Sequence, residues 1–344
     1  MSKAVILLNL GTPAEPTAKG LRDFYRHFFS DPYVFDFNPV GRWLLRNLII
    51  LPFRAPRIAK DYEQIWTEEG SPLKVYADRM LVSVQSAFDA EGDQVLVRNG
   101  MAYSEPFVSD TMAELEAAGV DEILLLPMFP QYSTATTASI FNDVNKAAKK
   151  WQVAPKLHFV NDLFAEPAFI KAWAELIARE LQGKEIDHLV FSYHGVPEKT
   201  INKADAAGVC QFGECCQEIT EQNRNCYRMQ CVQTTNAIVK ALDWEQDKVS
   251  FAFQSRFGPL PWLQPYLDEH LEALVQKGVK RVAVATPSFI SDCLETLFEI
   301  GIEYREQFEE AGGEQFTLLP NLNDDPQWFS AVHSIARKHL EKLP

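Results

Sequence analysis

Seven short apolar runs recur along the chain, each followed by a stretch of helical periodicity. They are Ala4–Leu10, Gln94–Arg98, Glu122–Phe129, Lys156–Val160, His188–Tyr193, Val249–Gln254 and Arg281–Thr286. Strands that are apolar throughout, instead of at every second residue, need cover on both faces. The pattern therefore specifies a parallel sheet with helices on each side. The runs fall into two groups, so the expected fold is α/β: two similar doubly wound, Rossmann-like lobes around a cleft. The first lobe spans 1–150 and carries an apolar lip over about 33–60; the second spans 151–344 and carries a cysteine-rich insertion over about 208–231. A C-terminal helix is free to pack back on the first lobe.

Composition narrows the function. With 33 Lys and Arg against 47 Asp and Glu, the formal charge is −14, a field that repels phosphate backbones and argues against nucleic acid as a partner. At 47% hydrophobic residues the chain has ample material for a core. The apolar run after Lys3 is too short for a signal sequence, and no apolar run reaches a membrane-spanning length. A cytoplasmic protein with reduced or metal-bound cysteines is expected.

In open α/β sheets ligands collect beyond the carboxyl ends of the strands. Here those ends read Asn9–Pro13, Pro130–Thr137, Ser192–Gly195, Gln254–Gly258 and Pro287–Ile290, where polar residues, aromatics and glycines gather. His194 closes one such strand and Gly195 and Pro197 stop it at once. An imidazole there suits a base or a metal ligand, or simply bonds to a neighbouring loop. At about 100° per residue, Asp292, Glu295, Glu299 and Glu303 share one arc of about 80° on a helix that is otherwise mostly apolar. The row is either a solvated acidic face or a set of carboxylates lining a cleft, able to hold a cation or pass protons.

Five of the six cysteines lie in one segment as C-x4-C-C-x9-C-x4-C. That density points to a metal centre, zinc or iron–sulfur, over redox thiols. The matched outer pairs are Cys210, Cys215, Cys226 and Cys231, with Cys216 as an alternate for Cys215. The stretch Pro39–Lys60 combines Trp43, Leu44, Leu45, Leu48, Ile49, Ile50, Leu51 and Phe53 with five basic residues. It reads equally as a surface for an anionic membrane, an apolar entrance for a hydrophobic ligand, or a core helix with snorkelling arginines.

With these residues set out, the chain resembles the ferrochelatases, which insert ferrous iron into a porphyrin. The resemblance runs through LLNLGTP (7–13), RDFYRHFFSDPYV (22–34), GSPL (70–73), PMFPQYSTATT (127–137), FSYHG (191–195), FQSRFGPLPWLQP (253–265) and SDCLETLFEIGIEY (291–304). It implies a chelatase-like fold, with His194 and Glu295 as catalytic residues that also touch the substrate iron. Asp292, Glu299 and Glu303 would continue a proton or metal path. Many family members have histidine where this chain has Cys293.

The implied substrates are Fe2+ and protoporphyrin IX, giving protohaem and two protons at the last step of haem biosynthesis. Phe129, Tyr132 and Trp262 would wall the porphyrin, and Tyr103 and Arg256 would meet its propionates. The resemblance also implies a [2Fe–2S] cluster on the internal cysteines. The animal arrangement is absent, since Thr134 stands at its first position and no cysteine lies near the C-terminus. Alternatives are a chelatase for coproporphyrin III or sirohydrochlorin, and a non-catalytic haem-binding or iron–sulfur sensor protein. Monomer or homodimer, with or without peripheral membrane contact, stays open at this stage.

Overall fold

The computed structural model describes residues 2–342. The chain forms two compact units. One takes in the chain up to Phe129, Thr134–Asp162 and the segment from Asp324; the other comprises Pro130–Ser133 and Leu163–Asn323.

Each unit is built on a four-stranded, wholly parallel sheet. In the first, β1 (Lys3–Asn9), β2 (Val95–Met101), β3 (Glu122–Pro127) and β4 (Lys156–Phe159) lie in the order β2-β1-β3-β4. In the second, β5 (His188–His194), β6 (Val249–Gln254), β7 (Arg281–Ala285) and β8 (Gln315–Leu318) repeat that order as β6-β5-β7-β8. In both units the connections reverse direction beside the first strand, which places a topological switch point at its carboxyl end. The seven strands read from sequence are all present. The eighth, β8, escaped notice because it is an edge strand of four residues, only one of them fully buried.

Continuous burial along β1, β3 and β5 accounts for their unbroken apolar sequence. In the first unit Ile6, Leu8, Ile123 and Leu125 pack under helical Met112, Leu115, Ile140 and Val144. In the second, Val190, Ala252, Val282 and Val284 pack under Leu267, Leu271, Ile300 and Phe308. The final helix, Pro326–Glu341, belongs to the first unit, where His333 packs edge-on against Phe88 and Arg337 pairs with Glu91 at 2.7 Å. No helix among the described residues is long and apolar enough to cross a membrane.

Candidate active site

His194 is the last residue of the central strand β5, at the switch point of the second unit. Its neighbours hold it closely. The His194 amide donates to Ser288 Oγ at 3.2 Å, and its carbonyl accepts from Tyr227 Oη at 2.7 Å. The Gly195 amide donates to the Gln254 carbonyl at 2.8 Å. Only glycine fits at 195, because a Cβ there would meet that carbonyl oxygen at 2.8 Å and the Trp262 ring at 3.2 Å. The ring atom Nδ1 lies 2.6 Å from the Gly195 carbonyl oxygen. A carbonyl can only accept, so Nδ1 carries a hydrogen, and in the neutral ring the lone pair is on Nε2. The imidazole is thereby set in the tautomer a base at Nε2 requires.

The acidic row follows β7 in the same unit. Glu295–Tyr304 is a π-helix, a form that is rare and frequent at functional sites. Its i→i+5 bonding stretches each turn past four residues, so Glu295, Glu299 and Glu303 stand more nearly in line than α-helical arithmetic gives. The row grades outward: Glu295 and Glu299 are half-buried and Glu303 is exposed.

Gln254, paired in register with His194, anchors the start of the row. It accepts from Ser192 Oγ at 2.7 Å and donates to the Glu295 carbonyl at 2.9 Å. Glu299 accepts from Ser255 Oγ, and from Tyr304 Oη at 3.1 Å. Desolvation raises the Glu299 pKa, and the nearby Glu295 carboxylate adds to the rise; the hydroxyl of Ser255 and the His194 imidazole oppose it. Ser255 holds this position with a left-handed φ of 66°, a conformation costly for a side-chain-bearing residue and concentrated at functional sites.

Asp292 does not stand in the row. It precedes the π-helix and is buried, accepting from Asn323 Nδ2 at 2.6 Å, Asn321 Nδ2 at 3.0 Å and Thr296 Oγ1 at 3.0 Å. Burial pushes its carboxyl up and these donors pull it back. Its part is to tie the turn before the π-helix to the loop after β8. Cys293 is buried beside the Glu295 carboxylate, and burial keeps its thiol neutral.

The His194 imidazole and the desolvated Glu299 carboxyl lie within electrostatic reach of one another, with the Glu295 carboxylate beside them, an arrangement suited to moving protons. The ferrochelatase family model matches residues 2–340. The chain belongs to the ferrochelatase family. It is 38% identical to the ferrochelatase of Legionella pneumophila (strain Corby), an alignment covering 99% of this chain and 100% of that protein. It is 40% identical to the ferrochelatase of Coxiella burnetii (strain Dugway 5J108-111), covering 98% and 94%. Among solved structures it is similar in fold to SirB from Bacillus subtilis, solved with Fe3+, with a TM-score of 0.55 at 10% identity, covering 98% of this chain and 96% of that one. Family membership makes the chain an enzyme of porphyrin metallation, with a porphyrin and iron as substrates.

The remaining residues singled out for the ferrochelatase site are distributed as follows. Trp262 lies against Gly195 and donates Nε1 to the Phe257 carbonyl at 2.9 Å. Tyr132 is in the second unit, its amide bonded to Gln230 Oε1 at 2.6 Å. Phe129 is packed in the core of the first unit. Tyr103, also in the first unit, is buried and donates to Asp31 Oδ2 at 2.7 Å. Arg256 is committed to Asp268 and Glu269 and lies 4.2 Å over the Tyr266 ring.

The cysteines are drawn together in part. Cys215 and Cys216 have sulfurs 4.0 Å apart, Cys210 bonds to Cys215, and Cys226 lies within electrostatic range of both Cys215 and Cys216. Arg228 Nη1 donates to Cys216 Sγ at 3.2 Å, while burial pushes that thiol up to about 11. Cys231, fully buried on the helix Tyr227–Leu242 and bonded to the Tyr227 hydroxyl, is also within electrostatic range of Cys226 and Cys216. Among the described residues no three His, Cys, Asp or Glu side chains converge at metal-ligand spacing. The thiols of this segment are thus neighbours without converging at metal-ligand spacing.

The apolar stretch in the first unit is an α-helix (Pro39–Leu44) running into a π-helix (Leu45–Arg54) and on into a further α-helix (Ala55–Ile65). Val40, Trp43, Leu48, Ile49 and Phe53 are exposed, from 53% for Trp43 to 73% for Phe53, and Arg54, Arg57 and Lys60 are exposed beside them. A core helix is excluded for this face.

Ser255, Gln254, Tyr304 and Tyr227 were not singled out from sequence. For Tyr304 the signal was its spacing of five from Glu299, which means contact only in a π-helix. The others show themselves only once the strands are in register.

Proposed function

We propose that this enzyme inserts Fe2+ into protoporphyrin IX, releasing two protons and protohaem. His194 Nε2 takes the pyrrole N–H protons, and Glu295 and Glu299 receive the iron and pass protons outward along the row to Glu303. Oxygen ligands release ferrous iron more readily than thiolates, and the neutral Cys293 thiol leaves the carboxylates to do that work. The observation that carries the reading is the His194 imidazole, locked with Nε2 free, within reach of the desolvated Glu299. Protoporphyrin is favoured over more heavily carboxylated tetrapyrroles because Arg256 is already neutralised by Asp268 and Glu269.

The test is anaerobic mixing of enzyme, ferrous iron and either protoporphyrin IX or coproporphyrin III, followed through the Soret and Q bands. Faster turnover of coproporphyrin III would overturn the choice of substrate. No acceleration over buffer with either would overturn His194 as the base.

Two finer readings accompany this one. Cys210, Cys215, Cys226 and Cys231, with Cys216 as an alternate for Cys215, are the proposed thiolates of a [2Fe–2S] centre, supported by their proximity and by Arg228, whose guanidinium lies at Cys216. Colourless protein with stoichiometric zinc after anaerobic, iron-replete expression would defeat it. The exposed Val40–Phe53 face is proposed to rest on an anionic lipid surface, supported by exposed cations beside apolar side chains on an otherwise acidic chain.

A further inference from the structure

The helix Tyr227–Leu242 begins with a tyrosine that the proposed chemistry does not use. Tyr227 is only 7% exposed, yet its hydroxyl is aimed at a main-chain atom of the site, the His194 carbonyl, at 2.7 Å. That carbonyl and the Gly195 amide belong to one peptide plane. Tyr227 holds the oxygen end of the plane and the Gln254 carbonyl holds the N–H end, at 2.8 Å. With both ends held, that plane cannot rotate; the chain is held again one residue on, where the Val196 carbonyl accepts from the Leu263 amide at 3.0 Å, so the Gly195 carbonyl between the two anchors has little freedom of direction. It is this Gly195 carbonyl that receives His194 Nδ1 at 2.6 Å and so orients the ring. The Gln254 end comes from the sheet itself, in the β5–β6 register. The Tyr227 end comes from a helix, the residue before it is Cys226, and the Tyr227 hydroxyl also bonds to Cys231.

We propose that Tyr227 is a positioning residue: through the His194–Gly195 peptide it sets the tautomer and direction of the His194 imidazole, and it links that imidazole to the cysteine-bearing loop. The proposal rests on the reading of His194 as the base. It also predicts a physical signature in the resting protein, independent of turnover.

The experiment uses the full chain labelled with 15N-histidine. In the wild type, the His194 Nδ1–H proton, assigned by its loss in His194→Ala, is expected downfield and slow to exchange with water. In Tyr227→Phe, which keeps the ring and removes only the hydroxyl, that proton is expected to exchange at least tenfold faster. The same variant is expected to lose about tenfold in kcat, the scale of one hydrogen bond. Its KM for porphyrin should stay within twofold and its Tm within a few degrees. A wild-type Nδ1–H that exchanges freely would overturn the proposal, as would a Tyr227→Phe spectrum unchanged at His194. A loss of kcat that only tracks a fall in Tm would also overturn it. Retained insertion in His194→Ala would defeat the base assignment, while the exchange measurement would still report on the peptide clamp, so the two failures are distinguishable.

Discussion

Glu299 and Asp292 carry the same functional group seven residues apart, yet their replacement by the isosteric amide should act in opposite directions on stability. The Glu299 carboxyl has a raised pKa in the folded state. Such a group favours folding when protonated, and the contribution is lost as pH rises through the folded-state value. Glu299→Gln removes that loss, so at neutral pH its Tm should rise by about 2–4 °C, while iron insertion falls at least tenfold. Calorimetry and the anaerobic assay check the two halves. Asp292 is different because three donors, on Asn321, Asn323 and Thr296, already point at it. Asp292→Asn would turn an amide N–H toward one of them and leave buried donors unpaired, costing about 1–3 kcal/mol, read as a lower urea midpoint. His194→Ala should abolish insertion with the fold retained, shown by an unchanged circular dichroism spectrum. Sequence reasoning reached His194, Glu295 and Glu299 because strand ends and charged stripes are visible in one dimension. It set Asp292 in the same stripe because a helix was extended backward over a turn. Nothing in the local sequence marks Asn321 and Asn323, some thirty residues on, as its partners.

Among the elements, the two long π-helices, Leu45–Arg54 and Glu295–Tyr304, are what periodicity handled least well. A 3.6-residue rule detects amphipathic character but misplaces side chains by part of a turn when the bonding is i→i+5. The parallel strands were legible for the opposite reason: burial on both faces leaves an unbroken apolar word. For the first π-helix the exposed apolar face leads to a measurable outcome. Replacing Leu48 and Phe53 together by serine should leave Tm within about 1 °C, since exposed positions contribute little to stability. It should reduce co-sedimentation with phosphatidylserine vesicles severalfold at low salt. Unchanged vesicle binding would remove the lipid reading of that face.

The whole molecule is an interrupted chain. The first unit is left after Asp162 and completed from Asp324 onward, with the second unit's main body between. Trp328, fully buried in the returning helix, is part of the first unit's core. Trp328→Ala should cost about 3–5 kcal/mol, and amide hydrogen exchange should show protection lost chiefly in β1 and β3, with β5 less affected. The sequence left the last helix free to pack back on the first lobe, and strand spacing alone could not fix where the chain returns, at Asp324. The interruption also has a bearing on biosynthesis. A ribosome delivers every strand of the second unit before it delivers Pro326–Glu341, so the half bearing His194 has all its residues in hand while its sister is still waiting for a closing piece. Newborn chains must therefore keep a complete but incompletely covered sheet shielded from aggregation for the time taken to translate the whole inserted body.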